Sequence, residues 1–374
     1  MQHFPVEFTA FLLKIASRCN LACDYCYMYQ HADQSWRLQP KVMSNDILNR
    51  LAVRIAEYAQ DADLGSIAIM FHGGEPLLAG PQRIADITRD LRAAVRQTTS
   101  IRFTVQTNGT LLNEEALSLL ADAGVSVAIS IDGGLTANDR HRRDHRGNSS
   151  FAAAQRALEL LEHRPEVYAG IISVIDPFVD PEEVLGFLCP RDPPSLDLLL
   201  PDAHHERPPL GRDDDPGLYE RWLVRAFDIW FDQYPHVPLR TFDSLLAACA
   251  GLPSETDAFG FGSVNMLTVE TDGSYHSNDV LKITRTGATA LRMHITEHSI
   301  AEAADSESIK LYNGLLQHSG LSPVCHRCPE VNVCGGGSVP HRYSNGGLMN
   351  PTVYCREMLS LISHARQRLS TTFI

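Results

Sequence analysis

Between residues 8 and 201 the apolar positions alternate between two spacings. Short β-branched and aromatic runs at residues 8–17, 66–71, 101–106, 125–131, 167–175 and 196–200 predict six strands. The intervening segments 46–59, 81–96, 113–123, 151–163 and 181–188 place their apolar residues at helical spacing, with Asn113 positioned to cap the third helix. Strand and helix in strict alternation imply βα units around a parallel sheet. Six units are too few for a closed eight-stranded barrel, so the expected fold is α/β, a partial (β/α)6 TIM-like barrel with its site at the carboxyl ends of the strands. Residues 202–215 are polar and Pro-rich and read as a loop, either facing substrate or serving as a surface linker. After it, Tyr219, Trp222, Leu223, Ala226, Phe227 and Trp230 recur near helical spacing and predict a core-facing helix within residues 216–234. The pattern divides the chain into a barrel, 1–235, and a smaller α+β portion, 236–374.

Composition narrows the function without naming it. The 374 residues carry 32 basic and 45 acidic side chains, net −13, so the basic footprint of a nucleic-acid binder is missing. No stretch approaches the roughly 20 apolar residues of a membrane span, and the early run containing Thr9 and Lys14 lacks the form of a signal peptide. The expectation is a cytoplasmic protein with neither membrane nor nucleic-acid partner. Nine cysteines, an odd number, in a reducing compartment read as metal ligands or buried thiols before disulfides.

The residues suited to chemistry cluster in the turns at the strand ends. After the first strand comes Cys19-Asn-Leu-Ala-Cys23-Asp-Tyr25-Cys26, three thiols within eight residues. Zinc favours four protein ligands, whereas three cysteines on one loop can hold three corners of a four-iron cluster and leave one iron open. After the second comes His72-Gly73-Gly74-Glu75-Pro76, where glycine lets backbone approach a ligand closely and Glu75 offers a carboxylate. Thr107-Asn108-Gly109 comes after the third strand and Ser130-Ile131-Asp132-Gly133 after the fourth. Each alone is an ordinary turn; together they mark one rim. The basic run 140–146 has a bland reading as a solvated loop.

These residues resemble the radical S-adenosylmethionine (SAM) superfamily, in which the open iron chelates the methionine end of SAM. The resemblance implies that Tyr25 belongs to the cofactor site and that Gly73, Gly74 and Glu75 receive the SAM amino group. It places Asn108 and Ser130 at its ribose and carboxylate, and matches Arg142 to the arginine that pairs with the carboxylate, for which a guanidinium is suited. It further implies that one electron splits SAM into methionine and a 5′-deoxyadenosyl radical.

A second cysteine set, Cys325, Cys328, Cys334 and Cys355, is by spacing either a zinc site or an iron–sulfur site. It resembles the SPASM-like extension of peptide-modifying radical SAM enzymes, which implies a second [4Fe-4S] cluster. That family pattern has seven auxiliary cysteines and two auxiliary clusters. Here Asn278 and Ser338 stand where two ligands of the first are expected, so two [4Fe-4S] clusters in all are implied, with Cys249 a remnant and Cys189 a buried thiol. Asp279 comes directly after the lost position, where sulfatase-maturing relatives place a proton acceptor, which makes it the candidate catalytic base; a turn residue is its bland reading.

Short runs around Tyr27 to His31, Asn278 to Lys282 and Cys334 to Tyr343 look most like the FxsB-type cyclophane-forming maturases. That resemblance implies a C–C cross-link in a ribosomally made precursor peptide and an electron donor of flavodoxin or ferredoxin type. The few residues before the first strand leave no room for an N-terminal leader-binding domain, so leader binding is expected on a sheet edge or a separate protein. A maturase oxidising Ser or Cys to formylglycine, or a non-catalytic metal-bound scaffold, are the alternatives.

Overall fold

A computed structural model describes residues 6–372. In chain order the elements are β1 (Ala10–Ala16), α1 (Asn45–Asp61), β2 (Ser66–Gly73), α2 (Pro81–Ala94), β3 (Ser100–Thr107), α3 (Glu114–Asp122), β4 (Val125–Ser130), α4 (Leu135–His141), α5 (Phe151–Glu162), β5 (Tyr168–Val174), α6 (Pro181–Leu188) and β6 (Leu196–Leu199). The remainder is α7 (Leu218–Gln233), α8 (Arg240–Cys249), β7 (Met266–Val269), β8 (Ser274–His276), β9 (Ala290–His294), α9 (Ile300–Ala304), α10 (Glu307–Leu315), α11 (Pro323–His326), α12 (Val331–Cys334) and α13 (Cys355–Thr372). The fold is α/β with a mainly parallel sheet, as the alternation of the first half predicts.

Two compact units interleave along the chain. One holds residues through Ser130, His141–Gly170 and Val264–Asn313; the other holds Ile131–Arg140, Ile171–Ser263 and Gly314–Ile374. In the first unit the strands run β4-β3-β2-β1-β7-β8-β9. The first four and β7 pair in parallel, and β8 and β9 add antiparallel. β1 lies between β2 and β7 and is buried on both faces, which is why its sequence reads as an unbroken apolar run. Lys14 is the one exception, and it is fully buried.

β2 extends two residues beyond the expected strand because Lys14 pairs with His72 and Ala16 with Gly73, carrying the ladder into the polar turn. Asn113 does cap α3, its side chain accepting from Ala116 N at 2.9 Å. Ser44 does the same for α1, and a reciprocal Ser299–Glu302 capping box starts α9.

In the second unit β5 pairs in parallel with β6 from Ile171↔Leu196 to Val174↔Leu199. The stripe Tyr219, Trp222, Leu223, Ala226, Phe227 and Trp230 on α7 is buried, and α13 lies against α7 with Arg356 and His364 bonded to Glu220 and Asp228. The segment 202–215 forms no helix or strand and is fastened to the cysteine-bearing end of the same unit, His205 N to Tyr343 O at 3.1 Å and Arg212 to Glu357. Cys189 is fully buried.

Candidate active site

The cysteine loop and the Gly-Gly-Glu turn are built against each other. Gly74 N donates to Ala16 O and Glu75 N to Arg18 O, both at 2.9 Å. A Cβ on Gly73 would fall 1.9 Å from Ala16 O, and one on Gly74 would fall 1.9 Å from the Tyr29 hydroxyl and 2.4 Å from Arg18 O. The two glycines therefore serve close approach within the chain itself. Glu75, 1% exposed, accepts from Thr107 Oγ1 at 2.7 Å, Asn108 N at 2.8 Å and Leu77 N at 3.0 Å, locking the end of β2 to the end of β3. Burial pushes its carboxyl pKa upward, opposed by those hydrogen bonds.

Around the thiols, Leu21 N donates to Cys19 Sγ at 3.4 Å, and Asn108 Nδ2 reaches Asn20 Oδ1 at 2.9 Å. Burial raises the Cys19 thiol to about 12 and the Cys26 thiol to about 11, and Cys19 also feels Glu75, Cys23 and Cys26. The basic run is no solvated loop where it meets this region. Arg142, 7% exposed, donates to the Tyr25 hydroxyl at 2.8 Å, His141 bonds Asp24 at 2.8 Å, and His145 bonds Cys19 O at 2.9 Å. Ser130 ends β4 and accepts from Gln106 at 2.8 Å.

The same unit holds Asp279, just after the β7–β8 hairpin. Its Oδ2 takes the Lys14 ammonium and, at 2.5 Å, the Tyr27 hydroxyl; Lys282 stands 3.1 Å from Oδ1 and is itself paired with Glu270. Although burial opposes ionisation, the two ammonium groups hold the carboxyl far below its ordinary range. His72 lies next to Lys14 in the ladder and bonds Gly73 O through Nδ1 at 3.1 Å; burial and the Lys14 charge lower it to about 4. Sequence reasoning does not single out Lys14, Tyr27, His72, Glu270 or Lys282 as site residues. The available signal is a lone lysine inside Phe11-Leu-Leu-Lys14-Ile-Ala, a charge no buried strand retains without a partner.

In the second unit Cys325 and Cys334 are buried and Cys328 and Cys355 half-buried. Cys334, raised to about 12 by burial, feels Cys355, Cys325 and Cys328. Gly335, Gly336 and Gly337 all have positive φ, and a Cβ on Gly335 would lie 1.7 Å from Gly260 O. Arg342 fastens that loop from a buried position, donating to Gly335 O at 2.9 Å, Gly337 O at 3.0 Å and Leu315 O at 2.9 Å. Two positions where family ligands are absent have other work: Asn278 caps the turn through Val280 N at 2.9 Å, and Ser338 bonds Asp257 at 2.8 Å. Cys249 sits half-buried with Arg366 against its thiol.

Among the described residues no cysteine is in a disulfide. Among the described residues no three His, Cys, Asp or Glu side chains converge closely enough for a single metal ion. Three thiols on one loop at the end of β1, and four more, two buried and two half-buried, in the second unit, are donor sets of the kind that hold iron–sulfur clusters.

Residues 13–188 match the family model of the radical SAM superfamily. The serine-type anaerobic sulfatase-maturating enzyme of Bacteroides thetaiotaomicron is 31% identical over 353 residues, covering 88% of this chain and 82% of the relative. The chain belongs to the anaerobic sulfatase-maturating enzyme family of the radical SAM superfamily. It is thus a radical SAM enzyme, using SAM and an iron–sulfur cluster. Among other members of the anaerobic sulfatase-maturating family, the cysteine-type enzyme of Clostridium perfringens (strain 13 / Type A) is 25% identical over 369 residues, 96% of each chain. The solved structure of native anSMEcpe with bound AdoMet and the Cp18Cys peptide shares the fold at TM-score 0.84 and 24% identity, covering 97% of this chain and 98% of that one. These matches overturn the cyclophane reading. The short runs that carry the FxsB-type resemblance are outweighed by similarity to sulfatase-maturating enzymes along nearly the whole chain.

Proposed function

We propose that this enzyme oxidises the β-carbon of a cysteine or serine in a sulfatase-type peptide to an aldehyde, giving formylglycine. The observation that carries this reading is the match along 88% of the chain to an enzyme named for sulfatase maturation. Asp279 adds a buried, ionised carboxylate of the kind the oxidation requires as proton acceptor. When bound, SAM and two four-iron clusters supply the abstraction of one hydrogen atom from the β-carbon and the uptake of the remaining electron.

The chain's own residues then have separable tasks. Cys19, Cys23 and Cys26 hold the first cluster, and Cys325, Cys328, Cys334 and Cys355 hold the second. The employment of Asn278 and Ser338 in hydrogen bonds of their own supports a count of two. Gly73, Gly74 and Glu75 offer backbone and carboxylate to the SAM amino group, Asn108 and Ser130 bind its ribose and carboxylate, and Arg142, steadied by Tyr25, pairs with the carboxylate. Asp279 takes the proton from the substrate S–H or O–H as the C=S or C=O bond forms; a thioaldehyde then exchanges sulfur for oxygen with water. In the functional division we propose, residues 1–235 carry SAM and 236–374 the second cluster. Nine cysteines outside any disulfide support a reducing cytoplasm with a flavodoxin or ferredoxin as reductant. No helix among the described residues is long and apolar enough to cross a membrane.

Anaerobic co-expression with sulfatase-type peptides bearing Cys or Ser tests the reading. A hydrazide-reactive carbonyl on the target residue is expected. A peptide that loses two hydrogens without gaining a carbonyl would contradict it.

A further inference from the structure

Lys14 occupies the middle of an otherwise apolar strand, is 0% exposed, and spends its charge on Asp279. Burying such a pair is costly, and replacing both members together by apolar residues of similar volume is often neutral or stabilising. The fold of β1 therefore gives no reason for a lysine.

The geometry around the carboxylate does. Oδ2 receives two donors, the Lys14 ammonium and the Tyr27 hydroxyl. Oδ1 is different: it faces only the Lys282 ammonium, 3.1 Å away, whose closer partner is Glu270, and among the described residues no second donor reaches it. One oxygen takes two donors and is fixed, while the other faces a single ammonium and keeps room for one more partner. We propose that Lys14 is a positioning residue for the proton transfer, pinning Oδ2 of Asp279 so that Oδ1 is the atom that meets the substrate proton. The inference rests on the reading of Asp279 as proton acceptor. In the step, the substrate S–H or O–H bond breaks and an O–H bond forms at Oδ1, with iron–sulfur as the electron acceptor.

Lys14 also sets the charge of the site. The titratable groups facing Asp279 are Lys14 on β1, Tyr27 after the cysteines, His72 on β2, Glu270 and His276 on the hairpin, and Lys282. Two ammonium groups balance two carboxylates. Removing Lys14 leaves an excess of negative charge, which makes Asp279 easier to protonate and turns an acid-insensitive base into an acid-sensitive one.

The test compares wild type, Lys14→Met and Asp279→Asn holoenzymes on a sulfatase-type peptide with a β-deuterated cysteine. For Lys14→Met the inference expects continued deuterium transfer into 5′-deoxyadenosine, aldehyde formed per 5′-deoxyadenosine reduced about a hundredfold, and a new loss of product toward acid pH. Isotope-edited infrared spectroscopy of the same holoenzymes, which needs no turnover, should show the Asp279 carboxylate protonating at higher pH in Lys14→Met than in wild type. Product ratio and carboxylate titration both unchanged in Lys14→Met, with Asp279→Asn inactive in aldehyde formation, would overturn the role of Lys14 alone. Loss of deuterium transfer in Lys14→Met would assign the residue to the fold and also overturn it. Undiminished aldehyde formation by Asp279→Asn would remove the underlying reading instead, and the inference with it.

Discussion

Lys14 and Asp279 form a buried ion pair, their side chains 0% and 5% exposed, although they lie 265 positions apart in the chain. Lys14 has one carboxylate partner while Asp279 has two ammonium partners, so the two removals are unequal. Asp279→Asn strands Lys14 as a buried, unpaired charge, at a cost of about 3–5 kcal/mol. Lys14→Met leaves Asp279 with Lys282 and should cost less. The double variant should be more stable than Asp279→Asn alone, measured by denaturant unfolding; simple additivity would contradict the pairing.

For catalysis, Asp279→Asn should continue to cleave SAM while peptide oxidation falls about 10²–10⁴-fold, the range for loss of a positioned base. The two ammonium groups hold the carboxyl well below its unfolded value of about 4, so its ionised form, and the stability it brings, are present above that value. That contribution is lost only as pH falls toward the depressed folded pKa. Wild-type oxidation should consequently show no acid limb from Asp279 between about pH 5 and 8. Equal loss of SAM cleavage and oxidation in the variant would argue against a base.

His72 gives a pH dependence of its own. Burial and the Lys14 charge lower it to about 4, below the unfolded value of about 6.5. A depressed pKa means the unfolded chain binds the proton first, so stability is complete above about 6.5 and declines as pH falls toward about 4. The full shift amounts to at most about 3 kcal/mol. His72→Gln should flatten this part of the stability profile between pH 6.5 and 4, and an unchanged slope would contradict the assignment.

Gly74→Ala puts a methyl group where the Tyr29 hydroxyl and Arg18 carbonyl already lie. Displacing them should cost about 1–3 kcal/mol and unseat the loop carrying Cys19, Cys23 and Cys26. Iron content after anaerobic reconstitution should drop to that of the second cysteine set, with SAM cleavage abolished. Full iron occupancy would show that the loop tolerates the shift.

Among the described residues, β1–β6, the helices α1, α2, α3, α5, α6 and α7, and the aromatic stripe of α7 are legible in the sequence because each rests on local periodicity. The end of β2 is not, since His72 and Gly73 join the strand through pairing with Lys14 and Ala16, a tertiary cause. Arg142 is named only by resemblance, and its bond to Tyr25 links positions far apart in sequence. Lys14, Glu270 and Lys282 escape because a buried charge is recognised by its partner, and no periodicity announces a partner 265 positions away. The choice between cross-linking and aldehyde formation rests on short runs in the sequence, and similarity across the whole chain reverses it.

The central claim, single-residue oxidation by radical SAM chemistry, is tested most directly by the stoichiometry of one reaction. Anaerobically reconstituted enzyme, SAM, a reductant and a peptide with one β-deuterated cysteine or serine should give one aldehyde for each deuterated 5′-deoxyadenosine. A cross-linked peptide without a carbonyl, or 5′-deoxyadenosine lacking deuterium while aldehyde accumulates, would contradict it.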